Sequence, residues 1–340
     1  MRIRIKKAVS AAAAAAITIS AGSVQSESES FALPESVSAS LRSDRLSVSS
    51  EAPISFETPM FRKLIGQEIE ELSDLSAIAK YGTIDEKVSL SGDTADIPVS
   101  FDMREQGTIT SVKNQGAYGT CWTFSASASA ETSMLEAEPW IDLSEWHTAY
   151  FPYTGGDQID PGNVSSDDHL QLGGTIFVVA NLWAQWIGPV AEEKMPYGDK
   201  DMLEDTRTMN ELGESADYHL ENAYMFDYDD DRTNYDEVNS LIKQFVLNGR
   251  AVDTSYCADG YSYATNSAYS ALEPKDANHS VTIAGWDDDY TASNFDGNTG
   301  AWLCRNSWDT GFGDNGYFWI SYADTSLCEF AVFEIAQGDN

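Results

Sequence analysis

The hydrophobic period of this sequence changes near residue 250, and that change limits the folds open to the chain. Ahead of it, helices are predicted over 121–135, which has many helix formers and no Pro or Gly, and over 175–186 and 235–247, which end before Gly-Pro and Asn-Gly. Beyond it, the apolar runs are short, rich in β-branched and aromatic residues, and separated by Gly, Asn and Asp. These runs cover 251–256, 280–286, 301–305, 316–322 and 330–335. Helices followed by strands predict an α+β architecture of two packed lobes.

The N-terminus has the pattern of an export signal. Basic residues between Arg2 and Lys7 precede an Ala-rich apolar run over 8–21, and small residues follow it. The run is too short to span a bilayer comfortably, so we expect cleavage rather than anchoring. Residues 1–26 are therefore predicted to be a signal peptide, and the protein is predicted to be secreted and extracellular.

Residues 27–96 are predicted to form a spacer and a short pro-segment. The first part is rich in Ser and Glu and has no apolar period, as a flexible spacer does. Residues 61–81 carry apolar side chains at helical spacing, so they predict one amphipathic helix. That helix is either an ordinary docked helix or part of a pro-segment. The polar stretch over 91–97 predicts a linker, and residues 97–340 are predicted to form the main domain.

Charge and cysteine content narrow the possible partners. The chain has 55 acidic and 20 basic residues, a formal net charge of -35, which repels nucleic acid and anionic membranes. This charge suits a basic substrate or a salty or acidic medium, and the sequence does not choose between them.

The chain has only 4 Cys and 4 His. Because none has the spacing of a zinc site, we predict no metal and no cofactor. Acidic loops such as 227–231 lack the Gly and terminal Glu of a calcium loop.

One cysteine lies in a sequence context that favours a reactive thiol. Cys121 follows Gly116 and Gly119 and opens the predicted helix 121–135. A thiol at a helix N-terminus meets unpaired backbone N–H groups and the positive end of the helix dipole, and both favour the thiolate. A single cysteine is more often a small buried hydrophobic residue, so this motif needs support from elsewhere in the chain.

Two later segments supply that support. His279 comes directly before the β-rich run 280–286, and Asn306 follows the run 301–305 and precedes Trp308. A cysteine nucleophile needs a base to accept its proton, and the base needs a third group to orient its ring. Cys, His and Asn in this order predict that set of roles.

These segments resemble the papain family of cysteine peptidases. The resemblance covers about 97–322 and includes the motifs Ile-Pro-Val-Ser-Phe-Asp over 97–102, Val-Lys-Asn-Gln-Gly over 112–116 and Leu-Ser-Glu over 143–145. It implies a papain-like two-lobe fold, with the nucleophile helix in a helical left lobe and a β-barrel-like right lobe. It also points to the bacterial secreted branch of the family, which often carries a lectin-like domain.

The resemblance also assigns roles to individual residues. It implies that Cys121 attacks the substrate carbonyl, that His279 is its base and that Asn306 orients the imidazole. It implies that Gln115 donates its side-chain amide to the oxyanion, beside the backbone N–H of Cys121. The substrate-binding residues that it implies are Gly119, Trp122, Gly173, Gly174, Asn278 and Trp308, with Trp308 also shielding the His–Asn bond.

Three positions depart from the family pattern. Tyr118 stands where the family usually has a second cysteine, and Gln171 stands where that cysteine's partner would be, so the usual bridge is absent as a whole. Asp309 replaces the usual Gly after Trp308. The remaining cysteines could form a bridge, but we expect three reduced, buried thiols.

The predicted function is cleavage of a protein or peptide substrate by a monomeric enzyme. Two alternatives remain open: a catalytically inactive binding protein on the same scaffold, and an acyltransferase that also uses Cys and His. The first would lose Cys121, His279 or Gln115, and the second normally pairs its His with Asp.

Overall fold

The predicted helices and strands of the main domain occur in the predicted order, and the structure adds the long strand β4 and several short helices and strands. The computed structural model describes residues 6–8, 83–84, 97–153, 169–199, 201–204, 206–213, 215–229 and 231–338. The helix predicted over 61–81 and the spacer before it lie outside these residues, and so do most of the predicted signal peptide and linker. The α-helices are α1 Met103–Gln106, α2 Cys121–Met134, α3 Glu145–Tyr150, α4 Ile176–Ala184, α5 Thr206–Gly213 and α6 Tyr235–Leu247. Short 3₁₀ turns occur at His169–Gln171, Glu192–Lys194, Met202–Glu204, Ala258–Gly260 and Pro274–Asp276.

The strands form one sheet. They are β1 Lys6–Ala8, β2 Thr83–Ile84, β3 Ser100–Asp102, β4 Tyr218–Phe226, β5 Val252–Tyr256, β6 Tyr261–Ser262, β7 Ser267–Ala268, β8 His279–Asp287, β9 Ala301–Arg305, β10 Tyr317–Ser321 and β11 Cys328–Gln337. Their order is β2-β1-β4-β11-β5-β8-β9-β10-β7-β6, and β3 also pairs with β8. Nearly all pairs are antiparallel, the exception being β7 with β10.

Two features of this sheet differ from the prediction. Within the described residues no pairing joins its two ends, so the right lobe is an open sheet rather than the predicted barrel-like one. Strand β4 was not predicted, because polar residues such as Glu221 and Asn222 interrupt its apolar alternation. It forms by pairing along its length with β11, so tertiary contact outweighs its weak local pattern.

Each lobe has its own apolar core. The left-lobe core packs around α2 and α4 and includes the fully buried Trp146 and Trp183. The right-lobe core packs α6 against the sheet and includes Trp286 and Trp302. Strands β4 and β11 contribute to both cores, so they join the two lobes.

Helix α2 lies between the lobes and brings the cysteine to their junction. Its buried residues are mostly Ala, Ser and Thr, and these small side chains allow β8 and β11 to approach closely. Because several of them carry hydroxyls, the contact is also polar: Ser129 Oγ donates to the Ala251 carbonyl at 2.7 Å. The helix is therefore fixed against the right lobe by packing and by hydrogen bonds.

Candidate active site

The cysteine predicted as nucleophile opens the helix that separates the lobes. Cys121 is the first residue of α2 and is 6% exposed. Burial raises the pKa of its thiol, while hydrogen bonds from the backbone and side chain of Ser280 and from the backbone of Trp122 lower it. Ser280 directly follows His279, so these contacts bring the thiol beside the strand that carries the predicted base.

The predicted base and its orienting residue are in direct contact. His279 opens β8 and Asn306 follows β9, and the antiparallel pairing of these strands brings the two side chains together. His279 Nε2 lies 2.8 Å from Asn306 Oδ1. Since a carboxamide oxygen only accepts, Nε2 carries the proton and Nδ1 is the basic nitrogen of the neutral ring. Asn306 Oδ1 also accepts from the backbone N–H of Ser307 at 2.8 Å, which fixes its orientation.

Burial shifts the pKa of both reacting groups toward their neutral forms. It lowers the pKa of His279 to about 4, while the hydrogen bond with Asn306 raises it. Burial acts on Cys121 in the opposite direction, because the thiolate is the charged form. For Cys121 this effect of burial opposes the helix N-terminus, which favours the thiolate. Moving one proton from sulfur to imidazole creates two opposite charges side by side, without changing the net charge.

Hydrogen bonds hold the side-chain amide of Gln115 in one orientation. Its Oε1 accepts from Ser307 Oγ at 2.6 Å, and its Nε2 donates to the Tyr118 carbonyl at 2.8 Å. Its backbone N–H donates to the Ser307 carbonyl at 2.8 Å. The amide orientation is therefore fixed, and the second Nε2 proton is available to a substrate oxygen. Ser307 was not identified from the sequence, although it adjoins Asn306.

A small cavity lies beneath these groups. Its volume is about 10 Å³, and it is lined by Phe124, Ser125, Ser280, Val281, Thr282, Arg305, Asn306 and Ser307. This is about the space that one water molecule needs. The Nδ2 atom of Asn306 is buried and has no hydrogen-bond partner among the described residues. A water in the cavity would have polar groups around it on several sides.

The predicted glycines lie where a side chain would be strained or would meet neighbouring atoms. Gly173 has φ +81°, a conformation that favours glycine, and its carbonyl accepts from the Tyr153 hydroxyl at 2.9 Å. A Cβ on Gly174 would lie 2.2 Å from the ring of Trp122, and one on Gly119 would lie 3.2 Å from the Gln171 carbonyl. Trp122 itself is 2% exposed, and its buried ring packs against Gly174.

The remaining predicted residues surround His279. The Trp308 ring stacks on the imidazole, with centroids 4.6 Å apart. Asn278 is exposed, and its Oδ1 accepts from the backbone N–H of Ala258 at 2.9 Å. Asp309 has φ +68°, which explains why the family prefers Gly here. Its own carboxylate accepts from the Thr310 N–H at 2.6 Å, and Asp is among the residues that tolerate this conformation.

A charged cluster behind Gln115 had no separate signal in the sequence. The lysine cluster consists of Lys113, Glu131, Asp142 and Glu145, and Lys113 Nζ lies 2.8 Å from both Glu131 Oε1 and Glu145 Oε1. Burial by itself would lower the pKa of Lys113, but these carboxylates raise it above its ordinary value. Burial raises the pKa of Glu145 to about 8. The cluster anchors the segment that ends in Gln115.

Two other kinds of site are absent from the described part of the chain. No group of three or more His, Cys, Asp or Glu side chains is arranged to hold a metal ion there. No helix within the same residues is long and apolar enough to cross a membrane. All four cysteines are buried free thiols.

Comparison with known proteins identifies the family of this chain. The chain matches the papain family cysteine proteases over residues 97–150 and 162–337. Rat procathepsin L is 30% identical over 244 residues, which cover 69% of this chain and 64% of that protein. The solved structure of the clostridial cysteine protease Cwp84 after propeptide cleavage is 25% identical, with a TM-score of 0.56, and the match covers 71% of this chain and 58% of that one.

A second Cwp84 structure, from Clostridium difficile, contains cysteine protease and lectin-like domains. It shares the fold, with a TM-score of 0.57 at 24% identity, and the match covers 74% of this chain and 55% of that one. The chain spans less than two thirds of each of these relatives. The family match covers more than half of the chain and includes every predicted site residue. The chain belongs to the papain family of cysteine proteases.

Proposed function

We propose that this protein is a secreted cysteine-type peptidase that hydrolyses peptide bonds with Cys121, His279 and Asn306. The observation that carries the proposal is the 2.8 Å contact between His279 Nε2 and Asn306 Oδ1, formed beside the thiol at the N-terminus of α2. This contact leaves Nδ1 as a base, and Ser280 connects the same strand to Cys121. A merely structural histidine would not need an oriented partner and a neighbouring nucleophile.

The first half of the reaction forms a thioester. His279 accepts the thiol proton, and the Cys121 sulfur attacks the substrate carbonyl carbon to give a tetrahedral oxyanion. The second Nε2 proton of Gln115 and the backbone N–H of Cys121 stabilise this oxygen. The C–N bond then breaks, and the imidazolium gives its proton to the leaving amine.

The second half restores the enzyme. A water molecule replaces the amine, His279 takes one of its protons, and the hydroxide attacks the thioester carbonyl. The C–S bond breaks, the carboxylic acid product leaves, and the sulfur recovers its proton from the imidazolium. Asn306 keeps the ring oriented throughout, and stacking by Trp308 keeps water from the His–Asn bond.

The substrate is proposed to be a protein or peptide. A Cβ on Gly173 would meet no atom within 4 Å, so its absence leaves room there for an extended substrate backbone, while Gly174 makes room for the Trp122 ring. A net charge of -35 suits a basic substrate through long-range attraction, and it opposes nucleic acid as a partner. The enzyme is proposed to act as a monomer without a cofactor.

The nucleophile is tested with two serine variants. Cys121→Ser should lower kcat/KM on a fluorogenic peptide by at least about 10⁴-fold, because removing a triad member has effects of this size. Cys257→Ser is the matched control, since Cys257 is also a buried free thiol and should retain near-native turnover. An epoxide that alkylates papain-type thiolates should label the native protein at residue 121 only. Turnover by Cys121→Ser close to that of the native enzyme would overturn the mechanism.

The same experiment separates the alternatives. Labelling of Cys121 without any peptide cleavage, but with transfer of an acyl group to an added amine, would indicate an acyltransferase. Failure to label in a folded, reduced protein would indicate an inactive binding protein.

Export and maturation form a separate part of the proposal. We expect one cut near residues 23–26 and a second within 91–97, so that residues 27–96 act as the pro-segment of a zymogen. The support is the basic and Ala-rich N-terminus, and the family match that begins at residue 97. N-terminal sequencing of the protein from the culture medium tests both cuts. Full activity in a chain that still begins near residue 27 would refute an inhibitory pro-segment.

A further inference from the structure

One buried carboxyl beneath the reacting groups has no role in the mechanism above. Asp253 is the second residue of β5 and is 1% exposed. Its Oδ1 atom lies 2.6 Å from the hydroxyl oxygen of Ser125, on the helix that carries Cys121. Its Oδ2 atom is buried without a hydrogen-bond partner among the described residues.

The hydrogen bonds around Ser125 fix where the protons are. The Ser125 Oγ atom lies 2.6 Å from Asp253 Oδ1 and also 2.6 Å from the carbonyl oxygen of Val281. A hydroxyl has one proton to donate, and a carbonyl can only accept. An ionised Asp253 would leave one of these two short contacts as two acceptors facing each other. A protonated carboxyl removes the conflict, because it donates to Ser125 and Ser125 donates to Val281.

The charged groups around Asp253 also favour its protonated form. The titratable groups that act on Asp253 are Glu329 of β11 and the thiol of Cys121, and neither is a cation. Burial, Glu329 and Cys121 raise the pKa of Asp253 well above its ordinary value, and only the Ser125 hydrogen bond lowers it. Within the described residues Asp253 forms no ion pair, in contrast to the carboxylates around Lys113.

We propose that Asp253 is held as a neutral carboxylic acid and is a positioning residue for the proposed peptidase reaction. Its O–H donates to Ser125 Oγ, and Ser125 in turn donates to the Val281 carbonyl. Ser125 lies one helical turn after Cys121, and Val281 lies two residues after His279. The chain of two hydrogen bonds therefore ties β5, α2 and β8 together directly behind the thiol and the base. We call it the serine–aspartate contact.

The neutral form also matters for the thiolate. A negative charge on Asp253 would oppose the negative charge that develops on the Cys121 sulfur when it gives up its proton. Neutral Asp253 links β5 to α2 without repelling the thiolate. Neutral Asp253 therefore donates a hydrogen bond to Ser125 and carries no charge, as an amide would.

The protonation state can be measured without any reliance on catalysis. Infrared difference spectra between the native protein and Asp253→Asn at pH 7 should show a protonated-carboxyl C=O band that the variant lacks. An ionised Asp253 would instead give carboxylate bands in the difference spectrum, and that result would overturn the proposal. Because this readout does not involve Cys121, it stands even if the proposed peptidase function fails.

The positioning role is tested by the rate of Cys121 alkylation with iodoacetamide as a function of pH. Asp253→Leu and Ser125→Ala should slow alkylation and kcat by about 10- to 100-fold, because displacements of 1 Å at a reacting atom have effects of this size. Asp253→Asn should stay within about threefold of the native rates, since its amide can donate to Ser125 as the acid does. Thr254→Val is the matched control: it removes another buried hydrogen bond of β5, from Thr254 Oγ1 to the Cys328 carbonyl at 3.0 Å. It should leave alkylation unchanged.

The acid limb of the alkylation profile separates the two charge states. If Asp253 is neutral, Asp253→Asn leaves the acid limb where it is. If Asp253 is ionised, the variant removes a nearby negative charge, and the acid limb moves to lower pH by about half a unit or more. That shift would contradict the proposal. Should Asp253→Leu fail to fold, the asparagine variant and the infrared spectra decide the question without it.

Discussion

The lysine cluster and the serine–aspartate contact stabilise buried carboxyl groups in opposite ways. Both bury carboxyl groups next to the active site. In the lysine cluster, Glu131 lies 2.8 Å from the ammonium of Lys113, which lowers the pKa of its carboxyl, so its negative charge is balanced by a cation. In the serine–aspartate contact no cation is present, and we infer that Asp253 keeps its proton. The comparison teaches that a buried carboxyl needs either a counter-ion or a proton, and that the neighbouring residues decide which.

The two sites also support different parts of the catalytic machinery. Lys113 is two residues before Gln115, so the lysine cluster fixes the segment that carries the proposed oxyanion donor. Ser125 and Asp253 lie behind Cys121 and hold the helix against the strand of His279. Variants of the lysine cluster and variants of the serine–aspartate contact should therefore affect different measurements.

Removing the cation of the lysine cluster should have the largest effect on stability. Lys113→Met removes the ammonium in contact with Glu131, which is fully buried, and breaking a buried pair in this way costs about 3–5 kcal/mol. The free energy of unfolding from urea titration measures the loss. Lys194→Met is the control, because Lys194 pairs with Asp217 at the surface and should change stability by less than about 1 kcal/mol. Equal losses in the two variants would mean that the cluster contributes no more than a surface pair.

Removing the proposed oxyanion donor should act on turnover rather than on stability. Gln115→Ala should lower kcat by about 10²-fold, the effect of losing one such donor, while KM changes little. Gln171→Ala is the matched control, because Gln171 is an exposed amide that donates to the neighbouring Ala117 carbonyl at 2.9 Å. Steady-state kinetics of both variants decide the role. A rise in KM with kcat unchanged would make Gln115 a binding residue instead.

The pH dependence of activity should follow the burial of His279. Because burial lowers the pKa of His279 to about 4, kcat/KM should fall as pH drops through about 4, where the base gains a proton. Trp308→Ala removes the ring that stacks on the imidazole and admits water. The acid limb should then move upward, toward the ordinary pKa of histidine, and activity at pH 5 should fall by roughly three- to tenfold.

A control for the Trp308 variant is available on the surface. Trp140 is 92% exposed, so Trp140→Ala should leave the pH profile unchanged. An acid limb that stays near pH 4 in Trp308→Ala would show that burial by this ring does not set the pKa of His279.

Reduction should have the smallest effect. Since all four cysteines are free thiols, reductant should leave the melting temperature unchanged to within about 1 °C, while it restores activity to oxidised samples. Thermal melts with and without reductant, together with peptide mapping under non-reducing conditions, provide the check. A mapped bridge between Cys304 and Cys328, or between Cys257 and Cys304, would show the prediction to be wrong.

The sequence alone determined the fold class and the identity of the proposed reacting residues. Helix α6 has the bounds that its apolar period predicts, and β9 matches the predicted run 301–305. Both elements carry a strong local period, and clear turn residues bound them. Cys121, His279 and Asn306 were identifiable because each stands at the end of such an element, in a motif of several residues. The order of the motifs along the chain added to the signal.

Only the tertiary structure decided how those residues are supported. Strand β4 depends on pairing with β11, and the open form of the sheet depends on which strands find partners. The contacts of Ser307 with Gln115, and of Asp253 with Ser125, join residues 192 and 128 positions apart. No local pattern encodes such contacts, because a buried polar group is defined by what the whole fold places around it. The tertiary structure therefore decides whether a buried carboxyl pairs with a lysine or keeps its proton.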